Sequence, residues 1–347
     1  ALPISRREPL GVMAIILPFN YPVDLFSHKV MPALVAGNSV IVKPPTNNPL
    51  AITMMVELLY EAGVPKRAVQ VVTGRGSKVG DYLCGNPGLD AISMTGSTEV
   101  GTEIYKKAAA NLTRVFLELG GNDAFIVLED ADVDLAVDEA IGSRLGNAGQ
   151  ICCASKRFLV HEKVEEEFTR KLVDKLSKVK MGDPMDPAYT VGCLISEKAA
   201  IQVEEQVNVC IAQGAQCALG GKRYEKAFFQ PTVLTGVTAE MDVAKDMEIF
   251  GPVFPIITIR SEEEAIRIAN QSCYGLSGSV FSGNVGRAIS VSSRLQTAGN
   301  VINGGSAYRV PDLAFGGYKK SGIGREGISR TLEELTQEKN YILKGVL

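Results

Sequence analysis

Short apolar runs rich in β-branched residues recur through the first third of the chain, at 11–16, 39–42, 69–73, 91–94 and 114–117. Between them, residues 24–35, 50–62, 78–83 and 98–109 repeat apolar side chains at three- and four-residue spacing, which predicts helices packed by one face. The strand runs are apolar throughout rather than alternating, as expected of strands covered on both faces. Strands of that kind separated by helices predict a parallel sheet with helices on either side. A helix stop followed by a proline breaker, Ala62-Gly63-Val64-Pro65, supports the same punctuation. Residues 10–120 are therefore read as a doubly wound α/β domain, in which ligands bind at the carboxyl ends of the strands.

From residue 121 the rhythm continues with different punctuation. Helices are predicted at 132–144, 162–179, 197–213 and 262–270, and strands at 156–160, 253–259, 279–281 and 298–302. A last strand-like stretch, 340–344, stands isolated. The expected architecture is α/β, with a doubly wound parallel-sheet domain at 10–120 and a second α/β domain at 121–325.

Length supports this division, because 347 residues exceed what a single core usually serves. A formal charge of −3 gives no electrostatic reason to expect a nucleic acid or a membrane surface as partner, leaving a small molecule. The apolar run at 12–19 is too short to span a bilayer and is broken by Pro18, and residues 1–10 lack a signal-peptide core. The seven cysteines include no Cys-x-x-Cys pair and fit a reducing compartment, read as the cytoplasm. With only His28 and His161, no zinc or other metal site is expected, and catalysis through an imidazole base is disfavoured.

Several short stretches could carry chemistry. Thr95-Gly96-Ser97-Thr98 lies where a strand gives way to a helix, so Ser97 is either a phosphate contact or a plain helix cap. The cluster Gly74-Arg75-Gly76 with Gly80 also follows a strand but lacks dinucleotide-fingerprint spacing. Asn147-Ala148-Gly149-Gln150-Ile151-Cys152-Cys153 is a loop of small and polar residues, and either cysteine is a nucleophile or a buried small hydrophobe. Glu118 closes an apolar strand, which suits a general base or a salt-bridged carboxylate. Asn20, bracketed by Pro18 and Pro22, is a turn residue or an oxyanion donor; Lys43, at a strand end, is solvated or binds a cofactor hydroxyl.

In this order, Pro18-Phe19-Asn20-Tyr21-Pro22, Val42-Lys43-Pro44, Thr95-Gly96-Ser97-Thr98, Leu117-Glu118-Leu119-Gly120-Gly121, Gly149-Gln150-Ile151-Cys152, Glu248-Ile249-Phe250-Gly251-Pro252-Val253 and Phe315-Gly316-Gly317 resemble the aldehyde dehydrogenase superfamily across essentially the whole chain. The resemblance implies oxidation of an aldehyde to a carboxylic acid with NAD or NADP. It selects Cys152 over Cys153 as nucleophile and makes Asn20 an oxyanion donor. Glu118 becomes the base that activates the hydrolytic water. A thiol pKa depressed by a polar loop and the cationic nicotinamide would let this chemistry proceed without histidine. Lys43 and Glu248 would hold the cofactor riboses, Gly96 and Ser97 the pyrophosphate, and Phe250 the nicotinamide. Where NAD-selective members often carry a glutamate, this sequence has Thr46, which implies tolerance of a 2′-phosphate.

The resemblance further implies a homodimer or homotetramer, with 1–9 and 335–347 as remnants of oligomerisation strands. It implies roughly a hundred further residues ahead of the point where this sequence starts. Ala154-Ser155-Lys156-Arg157-Phe158 and Lys180-Met181-Gly182-Asp183-Pro184 resemble bacterial succinate-semialdehyde dehydrogenases, with Arg309 or Arg157 as candidate partner for a distal carboxylate. Simple aliphatic aldehydes, lactaldehyde and glyceraldehyde 3-phosphate are the other substrates considered.

Overall fold

A computed structural model describes residues 2–345, which divide into two units. The first takes in the chain up to Leu119, Arg309–Gly316 and the segment from Gly322 onward; the second comprises Gly120–Tyr308 and Gly317–Ser321. Residues 309–316 and 322–325, assigned from the sequence to the second domain, thus belong with the first unit. Ala1, Val346 and Leu347, at the ends of the expected terminal strands, lie outside the described residues.

The β-branched runs of the first unit form a six-stranded sheet in the order Gly322–Ile323, Arg114–Glu118, Ala91–Thr95, Val12–Ile16, Ser39–Lys43, Val69–Val71. Every neighbouring pair is parallel except the short Gly322–Ile323 edge. From Val12–Ile16 the chain builds outward in one direction, then crosses and continues from Ala91–Thr95 in the other. That reversal is a topological switch point, where doubly wound sheets open a crevice at their carboxyl edge. Met13 and Ile15 pack with Phe26, Val30 and Val56 on one face, while Ala14 packs with Ile92, Met94 and Ile104 on the other. Burial on both faces explains why these strands read as unbroken apolar runs, each large side chain contributing about 1.5–3 kcal/mol.

Helix starts follow local chemistry. Pro22 occupies the first turn of the helix Pro22–Val35, where its missing N–H has no cost. Ser97, Asp132, Ser196 and Ser261 each accept a hydrogen bond from the backbone N–H three residues on; such caps are worth about 1 kcal/mol apiece.

The second unit holds a seven-stranded sheet in the order Gly299–Ile302, Ser277–Phe281, Asp123–Val127, Ser155–His161, Val253–Ile259, Thr232–Val237, Gln216–Leu219, antiparallel only at its last pair. Phe125 contacts Phe281 and Phe158 at ring-centroid distances of 4.4 and 5.2 Å, and Phe158 stacks on Phe254 at 5.3 Å. The strand Asp123–Val127 was not expected, because it opens on Asn122-Asp123 directly after a glycine pair. The stretch expected to be an isolated strand is part of Thr336–Leu343, which pairs antiparallel with Leu2–Pro9 from the opposite end of the chain. The helix expected at 78–83 is instead a π-helical turn, Gly76–Gly80, continued by Asp81–Cys84. Among the described residues no helix is long and apolar enough to cross a membrane.

Candidate active site

The cysteine loop of the second unit begins where the helix Val133–Leu145 ends. Asn147, Ala148 and Gly149 follow with φ of 48°, 54° and 80°, three successive residues in the left-handed region. Asparagine tolerates this conformation, but a buried alanine there costs of order 1–2 kcal/mol. Gly149 has no alternative, since a Cβ would come within 2.3 Å of the Gly251 carbonyl oxygen. Gln150 holds the turn: its Nε2 donates to the Asn147 carbonyl at 3.0 Å, and its Oε1 accepts from the Ile195 N–H at 2.9 Å. The strained turn delivers Cys152 half-buried and Cys153 buried, the latter's carbonyl accepting from the Ser306 hydroxyl. Accessibility therefore favours Cys152.

The surroundings of that thiol differ from expectation. A hydrogen bond with the Cys153 side chain, then burial, push the Cys152 thiol well up from its ordinary value, and Lys156 works against them. The loop's polarity does not depress the thiol. Lys156 itself is buried; it donates to the Cys152 carbonyl, lies 3.2 Å from Glu248 Oε1 and sits 6.0 Å from the centre of the Phe250 ring. Glu248 is further held by the Gly121 N–H at 3.3 Å, and its carbonyl accepts from Gln206 Nε2 at 2.9 Å. Gly120 lies close beside it: a Cβ there would stand 2.6 Å from Glu248 Oε2 and displace the carboxylate. Arg144 braces the same segment through the carbonyls of Ile249 and Val253. Cys152, Glu248 and Phe250 thus gather around one lysine, which in the sequence stands out only within the stretch Ala154-Ser155-Lys156-Arg157-Phe158, with no role of its own.

In the first unit, the remaining candidates line the carboxyl edge of the sheet. Asn20 is half-buried in the turn after Val12–Ile16, which is tied by Leu17 N–H to the Lys43 carbonyl and by Asn48 Nδ2 to the Phe19 carbonyl. Glu118 is buried at the end of Arg114–Glu118, its carbonyl accepting from the Gly96 N–H at 3.0 Å. Ser97 caps the helix Thr98–Ala109, as the bland reading required, and a Cβ at Gly96 would meet only the flexible end of Met94. Lys43 is buried, donates to the Pro44 carbonyl at 3.2 Å, and has its pKa lowered by burial. Thr46 is exposed and donates to the Gly74 carbonyl at 3.3 Å, bringing the glycine cluster at 74–80 to the same edge.

A cavity in this unit is lined by Glu118, Ser93, Phe116 and Phe315 together with a buried pair, Lys29 and Glu326. Burial pushes the Glu326 carboxyl up, but Lys29, helped by Arg309 and His28, outweighs it and holds the group below the ordinary glutamate range. Lys29 also donates to the Ser93 hydroxyl at 3.1 Å. Sequence reasoning missed this pair, although Lys29 interrupts a helix face otherwise built of Leu25, Phe26, Val30 and Ala33. Lys29→Met is expected to lower the unfolding free energy at neutral pH by about 3–5 kcal/mol, the cost of stranding a buried charge. Because the folded-state pKa of Glu326 is depressed, the pair's contribution is complete above the unfolded value of roughly 4.3 and vanishes as pH falls through the folded one. Urea melts at descending pH should show the two proteins converging; equal stability at neutral pH would remove the pair's assigned role.

Of the two arginines considered for a distal carboxylate, one is committed elsewhere. Arg157 spends its guanidinium on the carbonyls of Asn122, Ala244, Ile268 and Ala269, a structural use. Arg309 lies over the Phe315 ring at 3.9 Å. Among the described residues no cluster of histidine, cysteine and carboxylate side chains could hold a metal.

Residues 1–341 match the aldehyde dehydrogenase family along nearly the full sequence. The chain belongs to that family. It is 37% identical over 346 residues to a lactaldehyde dehydrogenase of Methanococcus maripaludis, covering 99% of this chain and 73% of that relative. A 3-sulfolactaldehyde dehydrogenase of Priestia aryabhattai is 41% identical over 337 residues, or 97% of this chain and 70% of the relative. Among solved structures, a lactaldehyde dehydrogenase superposes with a TM-score of 0.96 at 35% identity, covering 99% of this chain and 72% of that one. A betaine aldehyde dehydrogenase of Staphylococcus aureus in complex with NAD+ gives 0.95 at 38% identity, over 98% of this chain and 68% of that one. The doubly wound sheet and its switch point are thus the family's fold, as the ordered motifs implied.

Proposed function

We propose that the protein oxidises a short 2-hydroxyaldehyde to the corresponding acid with NAD(P)+, using Cys152 as nucleophile. The observation that carries this reading is the left-handed turn at 147–149, which spends backbone strain to present one half-buried thiol beside a buried cation. In the proposed sequence the Cys152 thiolate adds to the carbonyl carbon, giving a thiohemiacetal. The Asn20 side-chain amide and the Cys152 N–H stabilise its oxyanion, each such donor being worth ~10²–10³ in rate. NAD(P)+, when bound, supplies the two-electron acceptor that takes this adduct to a thioester. Glu118 removes a proton from the water that hydrolyses the thioester, releasing acid and thiol.

The chain's own residues suit such a dinucleotide. A helix amino terminus at Gly96-Ser97 stands at the switch point, and Lys43 is a buried cation with donor capacity beyond its bond to Pro44. Lys43 and Glu248 would hold the riboses, Gly96 and Ser97 the pyrophosphate, and Phe250 the nicotinamide. In this reading the first unit is the dinucleotide domain and the second the catalytic domain, within a cytoplasmic homodimer or homotetramer. The lactaldehyde and sulfolactaldehyde names of the relatives support a 2-hydroxyaldehyde over succinate semialdehyde. An aldehyde panel followed by cofactor reduction tests this: lactaldehyde or its sulfonate should exceed succinate semialdehyde in kcat/KM, and the reverse order would reject the assignment.

Thr46 offers a separate test of cofactor choice. It is exposed beside the Gly74 carbonyl and brings no negative charge of its own to meet a 2′-phosphate. Thr46→Glu should raise KM for NADP+ at least ~10-fold by like-charge repulsion and desolvation, while changing KM for NAD+ little. Equal effects on both cofactors, measured by steady-state kinetics, would detach Thr46 from the phosphate.

A further inference from the structure

We propose that Lys156 is a positioning residue for Cys152, its buried ammonium tying the Cys152 carbonyl to the Glu248 carboxylate so that one cation orients both. The proposal rests on reading Cys152 as the nucleophile. Lys156 is the second residue of Ser155–His161, a strand buried along its whole length, and its side chain is only 1% exposed. A lysine taken out of water is costly unless its donors are used. Here they are used on the nucleophile's own carbonyl and on Glu248 Oε1, 3.2 Å away, with the Phe250 ring centre 6.0 Å off.

The next residue, Arg157, is committed to four backbone carbonyls. Strand alternation points neighbouring side chains to opposite faces, so the strand separates an architectural cation from one aimed at the cysteine loop. Arg157 is served by backbone carbonyls alone, whereas Lys156 joins one carbonyl to a carboxylate. Lys156 thus spans the two segments, 147–152 and 248–251, whose backbones Gly149 and Gly251 already force together. Loss of the ammonium would free the Glu248 carboxylate from one of the two contacts named for it, leaving the Gly121 N–H.

The same ammonium acts on the thiol. The titratable groups facing Cys152 are Cys153 and Asp123, which disfavour the thiolate, and Lys156, which favours it. Asp123 is itself pushed up to about 7 by burial, with Lys156 opposing that rise. Removing Lys156 therefore leaves the thiol with none of these neighbours to favour its anion.

The test is the pH dependence of Cys152 alkylation by iodoacetamide without dinucleotide, read by peptide mass mapping so that Cys153 is counted separately. It is applied to wild type, Lys156→Met, Lys156→Arg and Glu248→Gln, each checked for folding by circular dichroism. Lys156→Met should move the alkylation midpoint up by about one unit, slowing reaction at neutral pH ~10-fold, and Lys156→Arg should restore most of the shift. Glu248→Gln should move the midpoint down, because the ammonium then faces one anion fewer. A folded Lys156→Met protein with the wild-type midpoint would overturn the proposal. If that variant does not fold, an unchanged midpoint in Glu248→Gln would do so. Failure of the underlying reading looks different: wild-type protein alkylated at Cys152 would keep oxidising aldehydes, whatever the midpoints.

Discussion

Cys152→Ser should lower kcat/KM for aldehyde oxidation by ~10⁴-fold or more while leaving the fold intact. The substitution changes one atom in a half-buried side chain, so the strained turn and its Gly149–Gly251 contact are undisturbed. What is lost is acidity: a serine hydroxyl is a far weaker acid than a thiol and needs a neighbouring base before it can attack. His161, the histidine of the same unit, is buried at the start of the helix Glu162–Ser177, 3.8 Å from Glu129. Steady-state kinetics with matched thermal melts would check both halves of the expectation. Retained turnover would move the nucleophile elsewhere, with Cys153 next to examine.

Glu118→Gln should separate the two half-reactions. If Glu118 serves only to activate water, its loss slows thioester hydrolysis by ~10²–10⁴-fold and leaves acylation largely untouched. Glutamine preserves the shape of a buried side chain at the end of a paired strand, so the sheet edge should survive. Rapid mixing with aldehyde and cofactor would then give a burst of reduced cofactor close to one equivalent per site, followed by a slow phase. A linear trace with a uniformly reduced slope would place Glu118 in the first half-reaction instead.

The parallel sheets were legible in the sequence because burial on both faces leaves unbroken apolar runs, as at Val12–Ile16 and Val253–Ile259. Asp123–Val127 escaped notice because its first residue is a carboxylate, tolerated there by the Ser277 N–H at 3.1 Å across the sheet. Pairing of Thr336–Leu343 with Leu2–Pro9 joins the chain's two ends, and no local periodicity can encode a partner that distant. The candidate site was legible only as separate fragments. Spacing could not choose between Cys152 and Cys153; the choice became physical when the left-handed turn left one half-buried and the other buried. Lys29 and Lys156 read as ordinary charged residues, since their partners, Glu326 and Glu248, are remote in sequence. Thiol acidity was expected from loop polarity together with a bound nicotinamide; in the chain alone a hydrogen bond with the adjacent Cys153 and burial raise the thiol, a local effect that residue types do not reveal.

The covalent step admits a direct look. Glu118→Gln protein mixed with lactaldehyde and NADP+ would be quenched in acid, digested and mapped by mass spectrometry. One acyl group on the peptide bearing Cys152, absent when cofactor is omitted, is the predicted result. An unmodified Cys152 peptide, or acylation confined to another side chain, would contradict the account.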